Sequence, residues 1–310
     1  MILELVGTLL TVAFLGVLVI GMLSPIESLQ WWAGWSGQSA SEVAESTTLA
    51  SASLPDPVVV YLSGIGSISG DELLAEEANF LGLLEPMLPG GVIVRDVFPY
   101  SAAGVGLTGA HAFASFWRVL DRMRMGGDVV LSSLINLRNA FQVAVAADPR
   151  YGPIFASGVA HAIVRSVTAA GFQPNSTQRL ILLGYSGGAQ VAVGAAPFLK
   201  ELLGVSVHVI SLGGVLDSDP GLKVVQRLDH LVGDRDVMER VGRIVYPGRW
   251  PIARGSAWNA ARRSGVINVE HLPGMAHNTP GGYMDPNGRT TSGELNPELT
   301  VKAIAAAIAH

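Results

Sequence analysis

Five residues near the middle of the chain, Gly184-Tyr185-Ser186-Gly187-Gly188, constrain the fold more than any other stretch. The apolar run 180–183 before them predicts a buried strand, and the small-residue pattern after them predicts a helix. At such a sharp strand-to-helix turn the serine takes a strained conformation with its hydroxyl projecting. The turn needs Gly184 and Gly188 because a Cβ at either position would meet the neighbouring strand or helix. The stretch therefore predicts a nucleophile elbow with Ser186 as the nucleophile.

The rest of the chain after residue 56 alternates between strand and helix patterns. Strands are predicted at six apolar runs: 58–62, 92–97, 180–183, 205–212, 228–232 and 266–272. Helices are predicted at 71–84, 112–125, 129–147, 152–170 and 297–309, and directly after the elbow. This rhythm is typical of a mostly parallel sheet with helices on both faces, so we expect residues 57–310 to form one α/β domain.

The segment 101–150 is longer than a simple crossover between parallel strands requires. Its predicted helix 112–125 carries an apolar stripe, Phe113, Phe116, Trp117 and Leu120. One interpretation is a pair of lid helices, or a membrane-facing helix, above the site. The other is an ordinary amphipathic helix that packs on the core, which is the usual reason for such a stripe.

The N-terminal residues predict a membrane anchor. Residues 5–23 are nineteen residues without a charge, ended by Ser24-Pro25. At ~1.5 Å per residue this run nearly crosses a hydrocarbon core of ~30 Å. We therefore predict a transmembrane helix within 1–25 and a single-pass membrane location. A cleaved signal peptide and a buried globular helix are the alternatives, although Glu4 and the lack of a clear A-x-A site after the apolar run disfavour the signal peptide.

Residues 26–56 are predicted to link this anchor to the folded domain. Trp31, Trp32 and Trp35 are of the type that favours the membrane interface. The Ser/Ala/Thr/Glu-rich stretch 36–57 has no sustained apolar period, as expected of a flexible tether. The side of the membrane stays open, because no Lys or Arg precedes Arg95.

Composition excludes several classes of function. The chain has no cysteine, which excludes disulfides, thiolate nucleophiles and cysteine-based zinc sites. A net charge of −5, without an aromatic and basic pattern, gives no reason to expect nucleic acid as a partner. Gly64, Gly66 and Gly70 match the dinucleotide fingerprint only loosely, with one residue too many before the third glycine. We expect neither a cofactor nor a metal ion.

A serine hydroxyl needs a base, and the base needs a carboxylate that fixes its tautomer. In parallel α/β sheets such groups lie on loops after the carboxyl ends of strands. Among seven histidines, His277 lies in a loop just after a predicted strand, so we assign it as the base. Asp236 is the preferred acid, since it lies one turn beyond the strand 228–232, and Asp217 and Asp234 are the alternatives.

Acyl chemistry also needs two backbone donors aimed at one developing oxyanion. One is expected to be the N–H of Gly187, immediately after the nucleophile. The second is expected from the early loop Gly64-Ile65-Gly66, most plausibly the N–H of Ile65, because glycines let the backbone approach a substrate closely. The alternative for this loop is a tight strand-to-helix turn without a ligand.

These motifs together resemble those of the α/β-hydrolases. The resemblance rests on G-Y-S-G-G at 184–188, G-D-R-D at 233–236 and G-M-A-H at 274–277, in the chain order Ser, Asp, His. It implies a serine hydrolase in which Ser186 attacks, His277 carries the proton and Asp236 orients His277. Ser63 departs from the pattern, because many relatives have histidine there.

The expected substrate is a small-molecule or lipid acyl ester, in keeping with few charges and the predicted anchor. Acyl transfer, thioester hydrolysis and a non-catalytic membrane-tethered binding module are the alternatives. The oligomeric state is left open.

Overall fold

The computed structural model describes residues 54–104, 106–107 and 129–309, with isolated positions between 8 and 33. The strands in this part of the chain are β1 Val58–Leu62, β2 Val92–Val94, β3 Leu180–Tyr185, β4 Val207–Leu212, β5 Arg227–Gly233 and β6 Ile267–Leu272. The α-helices in the same part are α1 Ala75–Leu84, α2 Val129–Ala147, α3 Gly152–Ala169, α4 Gly187–Leu203, α5 Val237–Val245, α6 Ala257–Arg263 and α7 Asn296–Ala309. Short 3₁₀ helices lie at Glu85–Met87, Pro220–Lys223 and Pro247–Arg249.

The strands form one parallel sheet in the order β2-β1-β3-β4-β5-β6. Because all strands run the same way, the carboxyl ends of β3, β5 and β6 lie at one edge of the sheet. In a parallel sheet this edge is where ligands bind. The prediction of an α/β fold built on a parallel sheet is confirmed.

Two buried layers cover the two faces of the sheet. Val60 belongs to a cluster that includes Val159 of α3 and Leu199 of α4. Val59, the preceding residue, belongs to a second cluster that includes Ile304 of α7. Successive side chains of a strand point to opposite faces, so this alternation buries β1 completely between helices. The prediction of helices on both faces is confirmed.

Two predicted elements are shorter by three or four residues than the sequence pattern indicated. The helix expected over 71–84 begins at Ala75, and the Oγ of Ser69 accepts the N–H of Glu72 in the turn before it. The strand expected over 92–97 ends at Val94, where its pairing with β1 ends, and Val97 is buried outside the sheet. In both places the apolar pattern continued into a loop that packs on the core.

The predicted membrane anchor falls mostly on residues outside the described ones, so it stays a prediction. No helix among the described residues is long and apolar enough to span a bilayer. One of the three predicted interface tryptophans differs from expectation: Trp31 is buried, with its ring 5.6 Å from that of His161. Trp31 therefore packs on the folded domain, whereas Trp32 is exposed.

Candidate active site

The turn between β3 and α4 has the strained geometry that its sequence predicts. Ser186 adopts φ 53° and ψ −120°, a backbone conformation that residues other than glycine rarely adopt. A Cβ on Gly184 would lie 2.4 Å from the Cα of Ala189, and one on Gly188 would lie 2.3 Å from the carbonyl oxygen of Leu62. Because these contacts are with backbone atoms, only glycine fits at either position. The turn presents the Ser186 hydroxyl at the carboxyl edge of the sheet.

His277 reaches this hydroxyl from the loop after β6. Its Nε2 lies 2.9 Å from Ser186 Oγ, and its Nδ1 lies 2.8 Å from Asp236 Oδ2. Both distances are those of hydrogen bonds. The imidazole is thus held between a hydroxyl and a carboxylate, and the structure brings all three predicted triad residues together.

Asp236 is the buried end of this chain of hydrogen bonds. It begins α5 as the N-cap, where its Oδ1 accepts the N–H of Glu239 at 3.0 Å. Burial alone would raise the pKa of Asp236, but the hydrogen bond and charge of His277, then the bonds from Tyr283 and Glu239, lower it below its usual value. The side chain is therefore a carboxylate at neutral pH.

The two alternative acids lie elsewhere. The N–H of Asp217 donates to Gln190, and burial raises the pKa of the Asp217 carboxyl. Asp234 is exposed and lies 3.4 Å from the ring nitrogen of His271. In the described part of the chain, the carboxylate that hydrogen-bonds His277 is that of Asp236.

Tyr283 is a site residue that the sequence reasoning missed. Its hydroxyl donates to Asp236 Oδ2 at 2.5 Å and accepts the N–H of Gly233 at 2.8 Å. The side chain is fully buried. The Asp236 carboxylate is thus held by donors from α5 and from the loop that carries His277. No local pattern around Tyr283 marks this role, which depends on how the loop folds back.

Tyr185, the variable residue of the elbow, supports His277. Its ring stacks on the imidazole, with centroids 5.4 Å apart and planes inclined by 22°. Its hydroxyl donates to the carbonyl oxygen of His277 at 2.8 Å and also contacts Asn278. Tyr185 therefore fixes both the ring and the backbone of His277.

The residues that carry the two predicted oxyanion donors, Gly187 and Ile65, are close neighbours. A Cβ on Gly187 would be 3.0 Å from Cγ2 of Ile65, which places the early loop next to the start of α4. Among the described residues, no hydrogen bond occupies the N–H of Ile65, whereas the neighbouring N–H of Gly64 donates to Glu77. The free amide and the helix start suit a developing negative charge.

Helix α2 braces this loop. Asn139, fully buried, donates from Nδ2 to the carbonyl oxygens of Ile65 and Ser67 at 2.8 and 2.7 Å. Tyr100 donates to the carbonyl oxygen of Ser63 at 2.7 Å. The half of the segment 101–150 that the structure describes therefore packs on the site. Residues 108–128 lie outside the description, so the lid stays a prediction.

A second serine, histidine and acid lie in line beneath α5. Ser211 Oγ lies 2.9 Å from His230 Nδ1, and His230 Nε2 lies 3.4 Å from Glu239 Oε1. All three side chains are at most 1 % exposed, so no substrate reaches them. Glu239 also binds Arg249 at 2.7 Å, which makes this network part of the support of α5.

No family model matches the chain, and no curated protein matches it. Among solved structures, it is similar to a dienelactone hydrolase-like promiscuous phosphotriesterase, P91, from metagenomic libraries, with 14% identity and a TM-score of 0.43 over 83% of this chain and 87% of that one. A dienelactone hydrolase from Anabaena variabilis shows 14% identity and a TM-score of 0.40 over the same shares. Such distant likenesses carry no argument about the chemistry of this site.

Two cavities lie at opposite ends of the strands. One of about 70 Å³ lies beside Tyr185 and His277 and is also lined by Leu74 and Met284. A larger one of about 600 Å³ lies at the opposite edge of the sheet, near Arg179 and the amino ends of the strands. Of the two, the small cavity is the one that His277 lines. Within the described residues, no group of three or more His, Asp or Glu side chains is arranged to hold a metal ion.

Proposed function

We propose that this protein is a serine hydrolase that cleaves carboxylic esters through an acyl-enzyme on Ser186. The observation that carries the proposal is the unbroken chain of hydrogen bonds from Ser186 Oγ through His277 to Asp236, at 2.9 and 2.8 Å. It begins at a serine whose strained φ presents the hydroxyl beside the first amides of a helix. This combination supplies a nucleophile, a base and a place for negative charge.

In the proposed acylation step, Ser186 Oγ attacks the ester carbonyl while His277 Nε2 accepts the hydroxyl proton. The carbonyl oxygen becomes an oxyanion that receives hydrogen bonds from the N–H groups of Gly187 and Ile65. Loss of one such donor typically costs about 3–4 kcal/mol in the barrier. The imidazolium then gives its proton to the leaving alkoxide as the C–O bond breaks, and an alcohol departs.

Deacylation repeats these steps with water as the nucleophile. His277 takes a proton from water, the hydroxide attacks the acyl carbon, and the proton returns to Ser186 Oγ as the carboxylic acid leaves. Asp236 stays ionised throughout, since its pKa is lowered, and it stabilises the imidazolium without taking its proton. Tyr283 holds the carboxylate of Asp236 in place, and Tyr185 holds the backbone and the ring of His277.

The substrate class that we propose is an acyl ester of low polarity, including lipid esters, met at a membrane to which the N-terminal segment anchors the protein. The low share of charged residues, 15% of the chain, and a mean hydropathy of +0.40 support this proposal. A series of p-nitrophenyl esters from acetate to long chains, with and without detergent, tests it. Preference for acetate would refute the low-polarity part while leaving the ester chemistry intact.

A labelled fluorophosphonate tests the chemistry itself, because it phosphonylates only an activated serine. We expect covalent labelling of the wild type and none of Ser186→Ala. Ser211→Ala is the matched control, since it removes the serine of the buried second array, and we expect it to label like the wild type. Absence of labelling in folded wild type would favour a non-catalytic binding module.

The acceptor of the acyl group is tested separately. Labelling together with acyl transfer to an added alcohol, in preference to water, would indicate an acyltransferase. Faster turnover of acyl thioesters than of matched oxygen esters would indicate a thioesterase. Both alternatives use the same acyl-enzyme.

A further inference from the structure

Helix α5 is amphipathic, but its polar side faces the protein interior and its apolar side faces outward. Its inward residues Glu239 and Gly242 are buried, and Glu239 is held by an ion pair to the buried Arg249. Its outward side is an apolar stripe at helical spacing, formed by Val237, Met238, Val241, Ile244 and Val245, all exposed. A surface helix ordinarily buries such a stripe. The stripe is therefore available to contact something outside the described structure.

Two further side chains extend this stripe. The indole N–H of Trp250 donates to the carbonyl oxygens of Arg243 and Ile244 at the end of α5, at 3.0 and 3.2 Å. Its ring is 44% exposed, and Ile252 beyond it is 85% exposed. Because the indole donor is already satisfied, the ring can leave water without losing a hydrogen bond. We call these seven residues, Val237, Met238, Val241, Ile244, Val245, Trp250 and Ile252, the α5 face.

The exposed charged side chains of the segment 237–264 are all arginines, of which Arg243 is paired with Glu239. The segment 237–264 contains six arginines and a single acid, the buried Glu239, in a chain whose net charge is −5. Arg240, Arg243 and Arg254 are exposed beside the face. An apolar helix side with Trp, flanked by arginines, has the composition of helices that lie in the interface of an anionic bilayer.

From this combination we propose that the α5 face docks on an anionic lipid surface, with its apolar side chains at the boundary of headgroups and acyl chains. A second copy of the chain would bring two arginine clusters against each other across a symmetric contact, which is unfavourable. The predicted helix 112–125 carries Arg118, Arg122 and Arg124 against one acid, Asp121, so its charge also disfavours it as the occupant. A negatively charged surface satisfies both the stripe and the arginines.

Docking would bear directly on the site. The N-cap of α5 is Asp236, the carboxylate that binds His277. The docked helix therefore begins at the catalytic edge of the sheet. This contact is separate from the predicted N-terminal anchor and does not depend on the chemistry of Ser186.

The absence of cysteine in the chain makes a site-specific test straightforward. Ile244→Cys and Ile252→Cys, each in the full chain with Ser186→Ala, are labelled with an environment-sensitive fluorophore. Leu83→Cys and Leu202→Cys are the controls, because these leucines are exposed on α1 and α4, away from the face. Vesicles of phosphatidylcholine alone, or mixed equally with phosphatidylglycerol, are then added.

We expect a blue shift and quenching by spin-labelled lipid at 244 and 252, only with the anionic vesicles, and none at 83 and 202. Arg254→Gln should weaken the response about fivefold in apparent partition coefficient, as loss of one surface charge predicts. No change at 244 and 252, or equal changes at all four positions, would overturn the proposal. Emission at 244 and 252 that is already blue-shifted without vesicles, relative to emission at 83 and 202, would also overturn it. Dependence on protein concentration would then indicate a second copy, and independence would indicate another segment of this chain.

Discussion

Replacing Glu77 by glutamine keeps the shape of the side chain but removes a titratable group from behind the loop Gly64-Ile65-Gly66. Glu77 is 2% exposed, and its Oε1 accepts the N–H of Gly64 at 3.3 Å. Its Oε2 has no hydrogen-bond partner among the described residues. Burial raises the pKa of Glu77 from 4.5 to about 7, against the hydrogen bond from Gly64, which lowers it. The folded protein therefore keeps a proton on Glu77 that the unfolded chain has already released.

The magnitude follows from this difference. Between pH 4.5 and about 7 the folded state binds one proton more than the unfolded state, so the free energy of unfolding falls as the pH rises. At about 1.4 kcal/mol per pH unit, the fall reaches about 3 kcal/mol and then levels off above pH 7. Glu77→Gln has no proton to exchange. The free energy of unfolding of the variant, relative to that of the wild type, should therefore increase through this interval. Above pH 7 the difference should stay constant.

Urea unfolding followed by tryptophan fluorescence, at each unit from pH 4 to pH 9, measures the difference. Comparing wild type with Glu77→Gln cancels the titration of every other group. Glu76→Gln is the matched control, because Glu76 is the exposed neighbour on the same helix. Parallel stability curves for wild type and Glu77→Gln, or a gap that narrows as the pH rises, would refute the reasoning.

Three further changes probe the site itself. Gly184→Ala should destabilise the fold by about 3 kcal/mol by overpacking, and it should abolish fluorophosphonate labelling. Gly82→Ala is the control: its added Cβ meets open space, so it should stabilise the fold by about 0.5–1 kcal/mol in thermal and urea unfolding. Asp236→Asn should lower kcat for ester hydrolysis on the order of 10³–10⁴-fold, while Asp217→Asn should change it less than about threefold; the reverse order would make Asp217 the acid. Tyr283→Phe should lower the free energy of unfolding by about 2–3 kcal/mol at pH 7, since it removes a bond to a charged group. Because that bond helps hold the pKa of Asp236 below its usual value of 3.8, the difference should shrink only below about pH 4, where Asp236 is protonated, and a gap that does not shrink between about pH 4 and pH 2 would contradict this account.

The sequence was sufficient to predict most of the helices and strands from their periodicity, and to predict the site residues that follow strand ends. The helix predicted over 129–147 ends at Ala147 as predicted, and the loops that bring His277 and Asp236 to Ser186 follow strands whose order is set by the parallel sheet. Tyr283 could not be predicted, because its hydroxyl reaches Asp236 only after the loop beyond β6 folds back over β5.

The reversed polarity of α5 was hidden for a different reason. Its apolar stripe is indistinguishable by spacing from one that packs on a core. The polar side of α5 faces inward because the buried Arg249 and His230 both bind the carboxylate of Glu239. These contacts join separate parts of the chain, so they can be recognised only in the folded structure. The bracing of the Ile65 loop by Asn139 is a further contact between segments remote in sequence.

The hydroxyl of Ser186, the carboxylate of Asp236 and the imidazole of His277 come from successive portions of the chain, and Tyr283 closes the set last. During synthesis the nucleophile is made long before its base exists. Under the proposed function, a growing polypeptide that has passed the elbow but not the loop after β6 lacks the base, and we expect it not to react. Covalent capture by an active-site probe would consequently count only completed molecules, which makes it a reporter of maturation as well as of activity.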